Sequence, residues 1–175
     1  MIFICKIEEN VSEEAVRRLY ELSDAERREK ADKLTGLHKK AVSLTAGLLK
    51  KLLKEKYGFK YVSISHSGEY AGCLGENVPC GLDIEKIAPR DKKLIERVCT
   101  KEELEKIKIS ASPESEFIKI WTIKEASFKA GIGKSLPRFF KENEEIEEEK
   151  KSFTYETEII DNYAVTACIK KEPII

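Results

Sequence analysis

Neither sign of charge predominates in this 175-residue chain, where 32 Lys and Arg balance 32 Asp and Glu. A net charge of zero excludes a global field that would gather nucleic acid or an anionic membrane, so any anion-binding patch must be local. Long apolar runs are missing as well, none approaching the roughly 20 residues needed to cross a bilayer. The N-terminal IFICKI is shorter than the apolar region of a signal peptide and runs straight into Glu8 and Glu9. These absences predict a soluble, cytoplasmic protein with no nucleic acid and no membrane among its partners. Cys5, Cys73, Cys80, Cys99 and Cys168 are odd in number, and no two have the spacing of a zinc or thioredoxin-like pair. They read as reduced, mostly buried thiols. Low-complexity linkers and sequence repeats are also lacking.

What is present alternates between helical and strand periods. Ile2 to Ile7 reads as a strand, and Ser12 with Glu13 and Glu14 opens a short helix through Glu21. Ser23 and Asp24 open another, with Arg27, Arg28, Lys30 and Lys33 as a local basic cluster. Leu37 to Tyr57 carries an amphipathic stripe closed by Gly58, the long core helix of the first half. Tyr61 to Ser67 and Tyr70 to Leu74 alternate about a turn at Gly68 and predict a hairpin. Cys80 to Ile87 predicts a further strand, on which Asp83 and Glu85, two apart, share a face. Asp91 to Val98 and Thr100 to Ile107 predict short helices, the second with a capping box of Thr100 and Glu103. Leu136-Pro137 and the run KENEEIEEEKK read as a turn and a charged loop. Ser152 to Ile160 and Tyr163 to Ile169, joined by Asp161-Asn162, read as a closing hairpin. The order of helices followed by a hairpin occurs twice. It predicts an α+β (α/β) fold of two similar pseudo-symmetric lobes, residues 1–78 and 79–175, each a small antiparallel sheet against a long helix.

The stretch FIKIWTIKEASFKAGIG, from Phe117 to Gly133, stands out. Ser112-Pro113 predicts a capped helix start, Phe117, Ile120, Trp121, Ile123 and Phe128 bury one side, and Gly131 and Gly133 supply the stop. Glu125 and Lys129 fall one turn apart with Lys124 beside them. A carboxylate between two ammoniums suits a metal-bound polyphosphate, although on an isolated helix a surface i,i+4 ion pair is the commoner meaning of such a pattern. Asp83 and Glu85 are a fair oxygen pair for a hard dication that takes its remaining ligands from phosphates and water. Glu125 would be the third carboxylate, and Ser65-His66 would add a hydroxyl and an imidazole able to contact a phosphate.

Three ordered segments, Ile64-Ser65-His66-Ser67, Gly81-Leu82-Asp83-Ile84-Glu85 and Trp121 to Lys129 (WTIKEASFK), closely resemble the motifs of the 4'-phosphopantetheinyl transferases, the surfactin-type branch above all. That resemblance implies a two-lobed enzyme, a holo-[acyl-carrier-protein] synthase, with its active site between the lobes. It would move 4'-phosphopantetheine from coenzyme A to a serine of an apo acyl or peptidyl carrier protein and release 3',5'-ADP. It implies Asp83, Glu85 and Glu125 as ligands of Mg2+, and Lys129 as a pyrophosphate contact with Lys124 as companion cation. Ser65 and His66 would contact coenzyme A phosphates, and Glu125 would accept the serine proton directly or through a metal-bound water. Catalysis would fall to Glu125, Lys129 and His66. A basic residue early in the chain would hold the 3'-phosphate, the candidates being Lys30, Lys33, Lys39 and Lys40.

The chain departs from the family pattern where a Gly-Lys-Pro segment would precede the Ser-His motif. Here Gly58-Phe59-Lys60 runs directly into the strand, leaving Lys60 as the substitute. That departure keeps open a non-catalytic module that binds coenzyme A or a carrier protein, and a plain interaction domain is the third reading. Two fused lobes predict a monomer.

Overall fold

The protein is described by a computed structural model in which residues 1–133 and 144–172 are placed. Its contacts divide the chain into two compact units, Met1–Asn77 and Val78–Ile175.

In the first unit, strand β1 (Ile2–Lys6) is followed by helices α1 (Glu13–Leu22), α2 (Ala25–Asp32) and α3 (Leu37–Glu55), then strands β2 (Tyr61–Ser67) and β3 (Tyr70–Glu76). The sheet is antiparallel with order β1-β3-β2, and Ser65 sits opposite Gly72 in the register. The β2–β3 turn passes through Gly68 at φ 54°, a left-handed conformation that costs glycine nothing. Ser12 and Asp24 cap α1 and α2 by accepting the amides of Ala15 and Arg27. Helix α3 lies on β2 and β3 through Val42, Ala46 and Ala71, small residues that permit close approach, while Ala41 and Leu44 meet Val16 of α1 and Ala31 of α2.

The second unit repeats the order. Strand β4 (Cys80–Lys86) leads into α4 (Lys92–Val98), α5 (Lys101–Ile109) and α6 (Pro113–Lys129). A further helix, α7 (Glu144–Lys150), precedes strands β5 (Phe153–Ile160) and β6 (Tyr163–Lys170). Its sheet order is β4-β6-β5, again with the last strand in the middle. Asp161 takes φ 51° in the β5–β6 turn, and Asn162 exchanges two hydrogen bonds with Ile87, its carbonyl accepting the Ile87 amide and its side chain donating to the Ile87 carbonyl. All five cysteines are thiols, and burial pushes Cys168 up to about 11.

Two expectations need correction. The charged run is helical over Glu144–Lys150, because Glu and Lys are good helix formers and Ile146, 6% exposed, buries against Phe153 and Ala126. Leu136-Pro137 lies outside the described residues. Ser112 does stand at the N-cap of α6, yet its side chain makes no cap hydrogen bond, and Pro113 alone marks the start. The C-terminus of α6 is a Schellman stop: Gly131, φ 95°, donates to Phe128 O and Ile132 donates to Ser127 O, with Ile132 fully buried.

Candidate functional site

The site residues of the second unit are brought together by the way α6 sits on β4. A methyl group placed on Gly81 would lie 1.9 Å from the Ala126 carbonyl oxygen and 2.7 Å from the Ala130 amide, so only glycine lets the helix backbone rest there. Residues 81, 83 and 85 share one face of the strand, so the face that Gly81 turns to α6 also carries Asp83 and Glu85. The helix is held down by Phe117 and Ile118, both buried with Val98, Ile107 and Ala164, each such side chain contributing about 1.5–3 kcal/mol. Deeper in the contact, Thr122 of α6 and Thr166 of β6 share a hydroxyl hydrogen bond of 2.7 Å, and Thr166 is the residue opposite Asp83 in the sheet.

Asp83 is 3% exposed. Lys129 reaches down from the last turn of α6 and donates to Asp83 Oδ1 at 2.8 Å and to Leu82 O at 3.0 Å. A buried carboxylate needs such a partner, and a lysine at the helix C-terminus also suits the helix dipole. Glu85, half-buried, meets Arg90 at 3.2 Å. Burial raises the pKa of Glu125 above the ordinary carboxylate value; the charges of Asp83 and then Glu85 raise it further, against the opposing pull of Lys129. Three acids and one lysine thus share one electrostatic neighbourhood whose net field at Glu125 is negative. Among the described residues no three His, Cys, Asp or Glu side chains are gathered closely enough to hold a metal ion. The donor set nevertheless fits a hard dication chemically, because it is all carboxylate oxygen and its mutual repulsion is what a cation relieves.

Lys124 lies elsewhere. Adjacent residues on a helix point about 100° apart, and Lys124 is turned inward, 1% exposed, donating to Glu103 Oε2 at 2.7 Å and Val98 O at 2.8 Å. Its ammonium is enclosed by these partners and presents no surface to a phosphate, so it is not placed as the companion cation expected beside Glu125. Glu103 meanwhile completes the capping box of α5. Pattern reading identified that box but missed its second duty, and it named Gly81 within a motif without giving it a packing role, although an isolated glycine in a strand signals a close backbone approach.

In the first unit, Ser65 and His66 are neighbours on β2 and so project to opposite faces, Ser65 buried and His66 exposed. The basic candidates are distributed along that unit. Lys30 pairs with Glu26 and Lys33 with Glu29 one turn away on α2. Lys40 is half-buried in the first turn of α3, and Lys60 stands 5.4 Å above the Tyr61 ring. Arg28 closes the end of α1 by donating to the carbonyls of Tyr20, Glu21 and Ser23. No helix among the described residues is long and apolar enough to cross a membrane.

The strand carrying Asp-x-Glu and the helix carrying Lys-Glu-x-x-x-Lys both fall within the stretch that assigns the family: the chain belongs to the 4'-phosphopantetheinyl transferase superfamily, matched over residues 79–170. Among curated relatives, a 4'-phosphopantetheinyl transferase of Bacillus subtilis is 30% identical over 144 residues, 71% of this chain and 60% of its own length. The 4'-phosphopantetheinyl transferase gsp of Aneurinibacillus migulanus is 38% identical over 91 residues, covering 47% of this chain and 38% of the relative. The 4'-phosphopantetheinyl transferase Sfp of Bacillus subtilis strain 168 is 34% identical over 80 residues, covering 44% and 36%. This chain therefore spans less than two thirds of the length of each of these relatives.

Proposed function

We propose that the protein transfers 4'-phosphopantetheine from coenzyme A to a serine of an apo acyl or peptidyl carrier protein. The observation that carries this reading is the convergence of charge on one face of β4, where Asp83 and Glu85 lie under the helix that bears Glu125 and Lys129. In the reaction the serine oxygen forms a bond to the phosphorus bearing the pantetheine arm. The pyrophosphate P–O bond breaks, and 3',5'-ADP leaves. Glu125, made more basic by its surroundings, accepts the serine proton directly or through one water. Lys129 lies within reach of the same face and offers its ammonium to the pyrophosphate, exchanging Asp83 for a phosphate oxygen. Asp83, Glu85 and Glu125 would hold Mg2+, which supplies charge neutralisation at the diphosphate. Ser65 and His66 are candidates to contact the phosphates of coenzyme A, with Lys30, Lys33, Lys40 or Lys60 candidates for its 3'-phosphate. Carrier choice falls to the surface around Lys101 to Ser112, where Ile109 is 81% exposed.

Incubation with coenzyme A, magnesium and a panel of fatty-acid, polyketide and peptide-synthetase apo-carriers tests this. Intact mass should rise by one phosphopantetheine on at least one carrier, and Asp83→Ala or Glu125→Ala should abolish the gain while leaving the fold intact. A second reading, a module that binds coenzyme A without turning it over, draws on the missing Gly-Lys-Pro segment and on Lys129 already neutralising Asp83. Tight coenzyme A binding by calorimetry with no mass gain across the whole panel would favour it.

A further inference from the structure

We infer that Glu103 is a positioning residue for Glu125, acting through Lys124. A single oxygen, Glu103 Oε2, accepts both the Thr100 amide at 2.7 Å and the Lys124 ammonium at 2.7 Å. Lys124 also donates to Val98 O, at the end of α4. One side chain of α6 is thereby tied to the C-terminus of α4 and the N-terminus of α5 together, with a cation on the carbonyl end and a carboxylate on the amide end, the polarity each helix terminus favours. The clasp is enclosed, Lys124 being 1% and Glu103 16% exposed at the side chain. An apolar pair of the same volume would fill that space at least as stably, so what the ion pair adds is a fixed rotation of α6.

Rotation matters because Glu125 is the next residue in the helix. A turn of α6 by about 15° swings a carboxylate about 6 Å from the helix axis by about 1.5 Å. Misplacement on that scale costs about a hundredfold in rate. The other constraints on α6 are of a different kind. The Gly81 contact fixes how closely the helix approaches the strand, the Thr122–Thr166 bond is a short tether near its middle, and Lys129 ties the last turn to Leu82 O and Asp83, a tie that is released when its ammonium turns to a diphosphate. The Lys124 clasp holds the residue next in sequence to Glu125, on a flank of α6 turned about 100° from it.

This inference rests on the transferase reading, and its test separates the two. Wild type, Glu103→Gln, the double variant Glu103→Gln with Lys124→Met, and Thr100→Ala are compared for thermal unfolding, for kcat and KM with coenzyme A, and for Mn2+ affinity by calorimetry. Glu103→Gln should lower kcat by about tenfold to a hundredfold while KM for coenzyme A stays within about threefold. The double variant should regain melting temperature, since neither charge is left stranded, yet keep the low kcat and bind Mn2+ about tenfold more weakly. Thr100→Ala, which removes only the cap hydroxyl, should lower the melting temperature with kcat within about twofold of wild type. Activity returning to the double variant together with its stability would overturn the inference, as would wild-type kcat in a folded Glu103→Gln. If Glu103→Gln does not fold, the double variant decides. If wild type transfers nothing, the transferase reading fails by itself, and unchanged Mn2+ affinity in the double variant would then sink the positioning role as well.

Discussion

The two units are built to one order of elements, a strand, a set of helices and a hairpin whose last strand takes the centre of the sheet, but they join helix to sheet differently. In the first, α3 rests on the sheet through alanine and valine side chains, and β1 offers Ile2, Phe3, Ile4 and Cys5 with no acid among them. In the second, α6 rests on the bare backbone of β4 at Gly81, and the same strand face then carries Asp83 and Glu85. Removing one side chain brings the helix close enough for charges on its flank and charges on the strand to feel one another. The first unit uses the arrangement to fill a core; the second uses it to concentrate charge.

The sharpest way to break that contrast is to add one methyl group to each unit. Gly81→Ala puts Cβ against rigid helix backbone and should cost on the order of 3 kcal/mol or more, or prevent folding. Gly47→Ala, in α3, has the flexible Arg27 side chain as its nearest neighbour and gains helix propensity, so the net change should stay within about 1 kcal/mol. Denaturant unfolding of both variants measures the difference.

Ion pairs give the next largest contrast. Lys124→Met strands the Glu103 carboxylate in a nearly dry setting and should cost about 3 kcal/mol. Arg18→Ala removes an exposed pair with Glu14 in the first unit and should cost less than about 0.5 kcal/mol. Thermal melts at matched ionic strength read both.

Titration probes the charge gathered in the second unit. The folded pKa of Glu125 is raised, so the folded chain keeps this proton to higher pH than the unfolded chain does. Glu125 therefore favours the folded state below the ordinary carboxylate range, and that contribution is lost as pH rises through the raised value. In metal-free protein, Glu125→Gln should raise the melting temperature at neutral pH, and the gain should vanish in acid below the ordinary carboxylate range. Equal gains at both pH values would contradict the crowding of Asp83, Glu85 and Glu125.

The smallest contrast lies between two helix starts that look alike in sequence. Thr100→Ala should cost about 1 kcal/mol because its hydroxyl accepts the Glu103 amide, whereas Ser112→Ala should cost close to nothing because its side chain makes no cap bond.

Ser112 also shows where sequence reading stops. The strand and helix periods, the Thr100–Glu103 box, the glycine stop of α6 and the Asp83/Glu85 pairing are all local, set within a few residues, and so could be read directly. Which flank of α6 turns inward is decided by its neighbours: Lys124 has the composition of a surface residue and became a buried anchor only because Glu103 and Val98 O wait for it, 21 and 26 residues earlier. Lys129 follows the same logic, its ammonium crossing to Asp83, which no i,i+4 rule anticipates. The helix over Glu144–Lys150 was hidden because one buried isoleucine amid six charged residues gives no periodic signal.

The central claim, that the face shared by β4 and α6 holds a dication against a diphosphate, is tested most directly by anomalous scattering from Mn2+ in crystals of the protein grown with coenzyme A. The account predicts one strong peak within bonding distance of oxygens from Asp83, Glu85 and Glu125, with Lys129 turned from Asp83 to the diphosphate. Bound coenzyme A with no peak among those three carboxylates, and Lys129 still seated on Asp83, would contradict it.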